Sequence, residues 1–247
     1  MDKEMNFWEH IEELRRRIIV CLITLTVGMM VGFPFSRYVL RILKLPGCSV
    51  IDKLVFFSPQ EGFLIYLRIS FLIGLVLAFP VILYQVWAFI APAIEKKFRR
   101  YILNFVFSGT IFFVIGMCFI YFILLPPAFK FLLSFASTEM EPVISATRYI
   151  SFVIALLVAG GLVFQMPVLS FLFTRIGLIN WRFLKDKFKY AVVIIFILAA
   201  LITPTVDIFN LLLLAIPMIF LYGASIFVSF LVRPKIRYEH TKALQNI

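Results

Sequence analysis

The chain has 247 residues, of which 63% are hydrophobic and 15% charged, against roughly 45 to 50% apolar and about 25% charged in an ordinary soluble domain. That balance excludes a water-soluble globule. The formal charge of +11, from 24 Lys and Arg against 13 Asp and Glu, would point to nucleic acid in a soluble protein. Here the basic residues are confined to the gaps between long apolar runs, so the partner they imply is a lipid bilayer and not nucleic acid.

The chain opens on Met1 to Arg17, which carries five acids and four Lys or Arg. Phe7, Ile11, Leu14 and Ile18 recur at helical spacing as one apolar stripe, with Trp8 beside it as an anchor for the headgroup region. The expectation is a cytoplasmic, amphipathic interfacial helix. A cleavable signal is not expected, because the basic cluster leads into a run too long for an h-region. Glu9, Glu12 and Glu13 share an adjacent face, and two readings of them stay open. They pair with Arg16 and Arg17 at i+3 or i+4 spacing, or one of them accepts a bidentate contact from an arginine of a partner.

Six runs without Asp, Glu, Lys, Arg or His follow: Ile18 to Phe35, Ile69 to Ile94, Tyr101 to Phe129, Ile150 to Phe173, Tyr190 to Thr203 and Ile208 to Val232. About 20 apolar residues in helical form cross a hydrocarbon core of roughly 30 Å, so each run reads as a transmembrane helix of a single membrane domain. The fifth has 14 residues and rises only about 21 Å; it has to thin the bilayer, borrow flanking residues or be shielded by neighbours. The turn Thr203 to Asp207 closes it into a hairpin with the sixth. Prolines at positions 34, 80, 92, 126, 127, 167 and 217 each remove a backbone donor and favour a bend. The predicted fold is an all-α membrane protein of six spans, several of them bent into a curved wall that suits lateral docking of another helix.

Six spans place both termini on one side. The gaps on that side are Met1 to Arg17, Glu95 to Arg100, Thr174 to Lys189 and the tail 233–247; they hold 17 Lys or Arg in 54 residues, against seven in 57 on the other side. The positive-inside rule assigns the richer side to the cytoplasm. Ser36 to Arg68 and Lys130 to Tyr149 are then external loops long enough to form structured caps. No ionisable residue falls inside a run. The intramembrane acid, His or Lys that marks an ion-coupled transporter is therefore missing, as are the nucleophile, base or metal cluster of an intramembrane enzyme. Cys21, Cys48 and Cys118 offer neither a disulfide framework nor a metal spacing, and no cofactor is expected. Gln165 is the most conspicuous polar residue within a run, with Gln85 and Asn104 nearer the cytoplasmic ends and Asn210 nearer the outer one. Gln165 reads either as an amide bonded between helices or as a polar spot facing a groove where a partner segment inserts.

His10-Ile11-Glu12-Glu13-Leu14-Arg15-Arg16-Arg17 resembles the H-[LI]-x-E-L-R-x-R signature that opens the TatC family, the multispanning subunit of the twin-arginine (Sec-independent) protein translocase. Pro80-Val81-Ile82-Leu83-Tyr84-Gln85-Val86-Trp87-Ala88-Phe89-Ile90-Ala91-Pro92-Ala93 is similar to the same family's P-x-x-x-Y-Q-x-W-x-F-x-x-P-[AG] motif. Ser58-Pro59 with Glu61 and Phe63, Ile115-Gly116-Met117 followed by Tyr121-Phe122, Tyr149 to Phe152, Thr203-Pro204 with Asp207, and Leu214 to Pro217 extend the resemblance in order along nearly the whole chain.

The resemblance implies a six-span protein of the bacterial inner membrane with both termini cytoplasmic. It also implies a receptor that binds the twin-arginine signal peptides of folded proteins, and no enzymatic activity of its own. Implied partners are single-span TatA/TatB-type subunits and further copies of the chain, with export driven by the proton gradient. The family's signal-binding glutamate falls on Glu13 and its basic neighbours on Arg15 and Arg16. Phe89 and Pro92 match the aromatic and proline leading into the first cytoplasmic loop. Where many members carry a second glutamate before two basic residues, this chain has Phe98 before Arg99 and Arg100, and Glu95 lies one helical turn earlier, on the same face for that role. Gln165 takes a position where the family often has Glu. Pro46, Tyr121 and Asp207 match family positions on the external side. For Asp207 a solvated turn and for Tyr121 interfacial anchoring are the alternatives. A small-solute transporter or channel is the competing class; it calls for inverted repeats, and none is evident between the first and last three runs.

Overall fold

The computed structural model describes residues 7–47, 54–90, 102–134, 143–203 and 207–232. In chain order these form α1 (Phe7–Gly32), α2 (Ser36–Lys44), α3 (Glu61–Ile90), α4 (Ile102–Phe119), α5 (Leu125–Ser134), α6 (Ala146–Val163), α7 (Gln165–Arg175), α8 (Trp181–Asp186), α9 (Phe188–Ile202) and α10 (Ile208–Leu231). Two short strands, β1 (Leu54–Val55) and β2 (Ile144–Ser145), pair in parallel, with Leu54 opposite Ile144. Five helical stretches are long and apolar enough to cross a membrane, and Phe188–Ile202 is a shorter apolar helix. The protein is an all-α membrane protein.

The N-terminal amphipathic segment does not form a separate helix. Phe7–Gly32 is continuous through the basic cluster into the apolar run, because the sequence places no proline or glycine between Phe7 and Val27 to break the hydrogen-bond ladder. The helix ends at Gly32. Two residues on, Pro34 lacks the N–H that would bond the Met30 carbonyl, and the chain tightens into a 3-10 turn, Phe33–Phe35.

Proline also marks the other interruptions. Pro126 and Pro127 remove the donors for the Phe122 and Ile123 carbonyls, and Ile120–Leu124 relaxes into a π-helical turn between α4 and α5. Pro167 would have bonded Val163, and α6 stops there, with α7 beginning after the single residue Phe164. By contrast α3 runs through Pro80 and α10 through Pro217 without a break.

Apolar side chains face two media. Helix α6 is the buried centre: Ile150, Val153, Leu156 and Leu157 are all nearly inaccessible. Helix α1 is peripheral, with Leu22, Ile23 and Met30 exposed, as expected of side chains that meet hydrocarbon. Lipid tails are as apolar as leucine, so close packing and polar contacts must hold such helices together. Both are present. Ser170 Oγ donates to the Ser225 carbonyl at 2.9 Å and Thr174 Oγ1 to Ser229 Oγ at 2.7 Å, joining α7 to α10 in a buried strip.

The closest backbone approaches use glycine. A Cβ on Gly28 of α1 would meet the Gly74 carbonyl oxygen of α3 at 2.8 Å, and one on Gly74 would meet Met29 N at 2.6 Å. A Cβ on Gly116 of α4 would meet the Gly160 carbonyl oxygen of α6 at 2.5 Å. Helices α1 and α3 run antiparallel, so this contact fixes their register. Arg17 lies eleven residues before Gly28 and Gln85 eleven residues after Gly74, about 16 Å along each axis, and the two side chains meet at 3.3 Å.

Replacing Gly74 by Leu is expected to drive α1 off α3 and lower the stability of the purified protein by about 1 to 3 kcal/mol, read as a fall in the thermal unfolding midpoint in detergent. Gly223→Ala, in α10, is the control: a Cβ there meets nothing within 4 Å, and its midpoint should stay level or rise.

Candidate functional site

Helices α1, α3, α7 and α10 bring to one end of the molecule the first turns of α1 and the C-terminal turns of α3, α7 and α10; this is the terminal face. Here Glu13 and Arg17 lie one turn apart on α1. Arg17 Nε donates to Glu13 Oε1 at 3.1 Å, and Arg17 Nη2 forms a second, shorter contact with the same oxygen. Arg17 Nη1 donates across to Gln85 Oε1 on α3 at 3.3 Å. The side chains of Arg17 and Glu13 are 21% and 23% exposed, so the ion pair sits at the boundary between solvent and packed helices. Among the sequence readings, the pairing of Glu13 with Arg17 is therefore present. It does not exclude a further contact, since an ionised carboxylate offers about four acceptor positions.

Arg17 was one of the two pairing partners read from the i+3 and i+4 spacing, whereas the contact of Gln85 with it was not expected from the sequence. Nothing in the sequence connects Gln85 to it, because that contact depends on the register set at Gly28 and Gly74. Arg15 and Arg16 are exposed beside the pair. Phe89 lies half-buried near the end of α3. Pro92 and Glu95, and Phe98 with them, lie outside the described residues.

At the same end Trp87 is buried against Phe105, their rings stacked at 5.2 Å between centroids. Trp87, Asn104, Ser108 and Arg175 border a cavity of about 270 Å³, into a wall of which the Trp87 Nε1–H is buried without a hydrogen-bond partner. The bilayer-side polar group is Gln165, 6% exposed, at the α6–α7 break. Its Nε2 donates to the Gly109 carbonyl of α4 at 2.9 Å, while Oε1 is buried with no partner. A Cβ on Gly109 would come within 3.2 Å of Oε1; glycine leaves room for the amide. Gln165 thus bonds between helices through its nitrogen.

The remaining candidate residues are at the opposite face. Tyr121 donates its hydroxyl to the Ile42 carbonyl at 2.7 Å, and Tyr149 bonds the neighbouring Leu43 carbonyl at 2.9 Å. Together they pin the end of α2 against the helices, just before the 3-10 turn that contains a half-buried Pro46. Asp207 caps α10: its side chain accepts from Asn210 N at 2.6 Å and from Asn210 Nδ2 at 3.0 Å, satisfying a first-turn donor of the helix. The structure therefore separates the sequence-predicted residues into a carboxylate and arginine cluster at the terminal face, an amide mid-membrane, and structural anchors at the far face. Among the described residues no group of three or more His, Cys, Asp or Glu could hold a metal ion.

Comparison with known proteins agrees with this architecture over most of the chain. Residues 9–217 match the family described as Sec-independent protein translocase protein (TatC). The chain is 38% identical to the Sec-independent protein translocase protein TatC of Carboxydothermus hydrogenoformans over 95% of its own length and 96% of that protein's. It is also 38% identical to the protein of the same name from Aquifex aeolicus, over 94% and 97%. A crystal structure of the twin arginine translocase receptor TatC superposes with a TM-score of 0.82 at 38% identity, covering 91% of this chain and 99% of that one. With a matching family sequence, full-length relatives and a common helix arrangement, the chain belongs to the TatC family of Sec-independent protein translocase proteins.

Proposed function

We propose that the chain is the signal-peptide receptor of a twin-arginine translocase in a bacterial inner membrane, with the terminal face in the cytoplasm. Its ligands are the paired arginines of signal peptides on folded proteins. Single-span TatA/TatB-type subunits and further copies of the chain are its assembly partners, and the proton gradient drives transport. The TatC family is a translocase component and not an enzyme family, and its membership does not favour a small-solute transporter or channel.

The observation that carries the reading is the Glu13–Arg17–Gln85 chain of contacts. Gln85 holds Arg17, and Arg17 holds Glu13, so the carboxylate is pre-oriented at the edge of an otherwise basic surface. An incoming guanidinium then meets an acceptor whose rotamer is already fixed, which reduces the ordering cost of binding. Fork geometry favours Arg over Lys at such a site. The surrounding Arg15 and Arg16 repel basic segments that lack the matched pair. Glu95 is proposed as the second carboxylate, in place of the family glutamate whose position Phe98 occupies. Phe89 and Pro92 are proposed to contribute to the same signal-peptide contact. The buried Oε1 of Gln165 is proposed to accept a donor from an inserting segment, and Tyr121, Pro46 and Asp207 to shape the outer face for partner subunits.

A twin-arginine signal peptide with a photoreactive residue beside the arginines should label the wild-type protein in membranes. The double substitution E13Q/E95Q is expected to reduce labelling about tenfold or more, the worth of one charge-assisted hydrogen bond or greater, with the protein still recovered in the membrane fraction. Unchanged labelling, or equal labelling by a twin-lysine peptide, would overturn the assignment. Gln165→Leu separates the two sites: it should lower thermal stability by about 1 kcal/mol through loss of the Gly109 bond, with the Glu13-dependent labelling preserved.

A further inference from the structure

At the face opposite the termini, α3, α5, α6 and α9 enclose a cavity of about 700 Å³. Its polar part is made by Arg68, Thr147, Arg148 and Ser151, and its walls include Phe129, Phe152 and Ile202. Arg68 lies two turns inside α3, within the stretch apolar enough to span the membrane. Its Nη1 donates to the Thr147 carbonyl at 3.4 Å and to Ser151 Oγ. No carboxylate among the described residues pairs with Arg68 or Arg148; the Arg17–Glu13 ion pair lies at the opposite face. Arg148 is the third residue of α6, where the partial positive charge of the helix N-terminus already disfavours a cation. The Thr147 hydroxyl is buried without a hydrogen-bond partner.

Among the described residues this cavity has donors in excess and two positive charges without a counter-charge, beside hydrocarbon walls. An unpaired arginine within a membrane span is costly, and an anion between the two guanidiniums would offset both charges. A phosphate supplies the charge and several acceptors, and guanidinium forks match its oxygens. A free phosphate would leave the walls formed by Phe129, Phe152 and Ile202 wet. An anionic phospholipid fills both halves.

We propose that the cavity binds an anionic phospholipid of the leaflet opposite the termini, with its phosphate between Arg68 and Arg148 and an acyl chain against Phe152 and Ile202. The bound lipid joins α3, α6 and α9 and completes the packing of the far face. This site is separate from the Glu13 cluster and does not rest on the receptor reading.

The test uses the full-length protein, purified in detergent and stripped of lipid, titrated with phosphatidylglycerol, with phosphatidylcholine of the same acyl chains, or with inorganic phosphate. Thermal unfolding and native mass spectrometry provide the readouts. Phosphatidylglycerol is expected to raise the unfolding midpoint well above the phosphatidylcholine value and to remain bound in the gas phase, whereas phosphate has no effect. Arg148→Gln, at an exposed position that leaves the Arg68 bonds intact, should weaken phosphatidylglycerol binding about tenfold without changing the lipid-free midpoint, and R68Q/R148Q should abolish the preference. Equal shifts from the two lipids, an undiminished preference in Arg148→Gln, or a shift reproduced by inorganic phosphate would each overturn the proposal.

Discussion

The backbone contact between Gly28 and Gly74 is the constraint on which the terminal face depends. In a bilayer, burying leucine against leucine brings little, so a helix pair needs either close approach or polar contacts to choose one register. A Cβ on either glycine would overlap the facing backbone, which makes this pair of small residues a fixed point between α1 and α3. From that point each helix advances eleven residues to the terminal face and delivers Arg17 opposite Gln85. Glu13 is then held through Arg17. A carboxylate whose geometry is set this way behaves as part of a rigid surface and not as a mobile side chain on a frayed terminus.

The interior follows the same economy. Helix α6 is surrounded, and its crossing with α4 again runs through glycines, Gly116 and Gly160. Polar atoms in the buried regions are spent on fixing neighbours: Gln165 holds α4, Thr174 and Ser170 hold α10, and the hydroxyls of Tyr121 and Tyr149 hold α2. Prolines contribute where they coincide with a helix end or a π turn. Pro80 and Pro217 show that a missing donor within a long apolar helix need not end it, since neighbouring packing keeps the helix in place.

Charge distribution divides the two faces by kind. At the terminal face an acid is already matched to an arginine, and the net charge around it is basic. At the far face Arg148, at the start of α6, and Arg68, two turns inside α3, line one cavity with no acid among the described residues to match them. The first arrangement suits selective recognition of a guanidinium pair from a peptide; the second suits an anionic amphiphile from the bilayer. One chain thus presents opposite chemical problems to its two surroundings.

Much of this was legible in the sequence. Long apolar runs and the lack of ionisable residues within them specify a multispanning helical protein, because a continuous apolar run of about 20 residues satisfies its own backbone in hydrocarbon only as a helix, whereas a barrel strand is shorter and alternates. The H-I-E-E-L-R and Y-Q-V-W segments carry the family resemblance, and Glu13 with Arg17 follows from one helical turn of spacing. The sequence did not reveal that the amphipathic segment and the first span are one helix, that Gln85 meets Arg17, that Asp207 serves as a helix cap through Asn210, or that Arg68 and Arg148 line one cavity across 79 residues of chain. Composition and periodicity report what each segment does with its own hydrogen bonds and its apolar surface. Which helices touch, and at what register, is decided by side-chain volume and close backbone contact between segments distant in sequence, and only the tertiary structure records that.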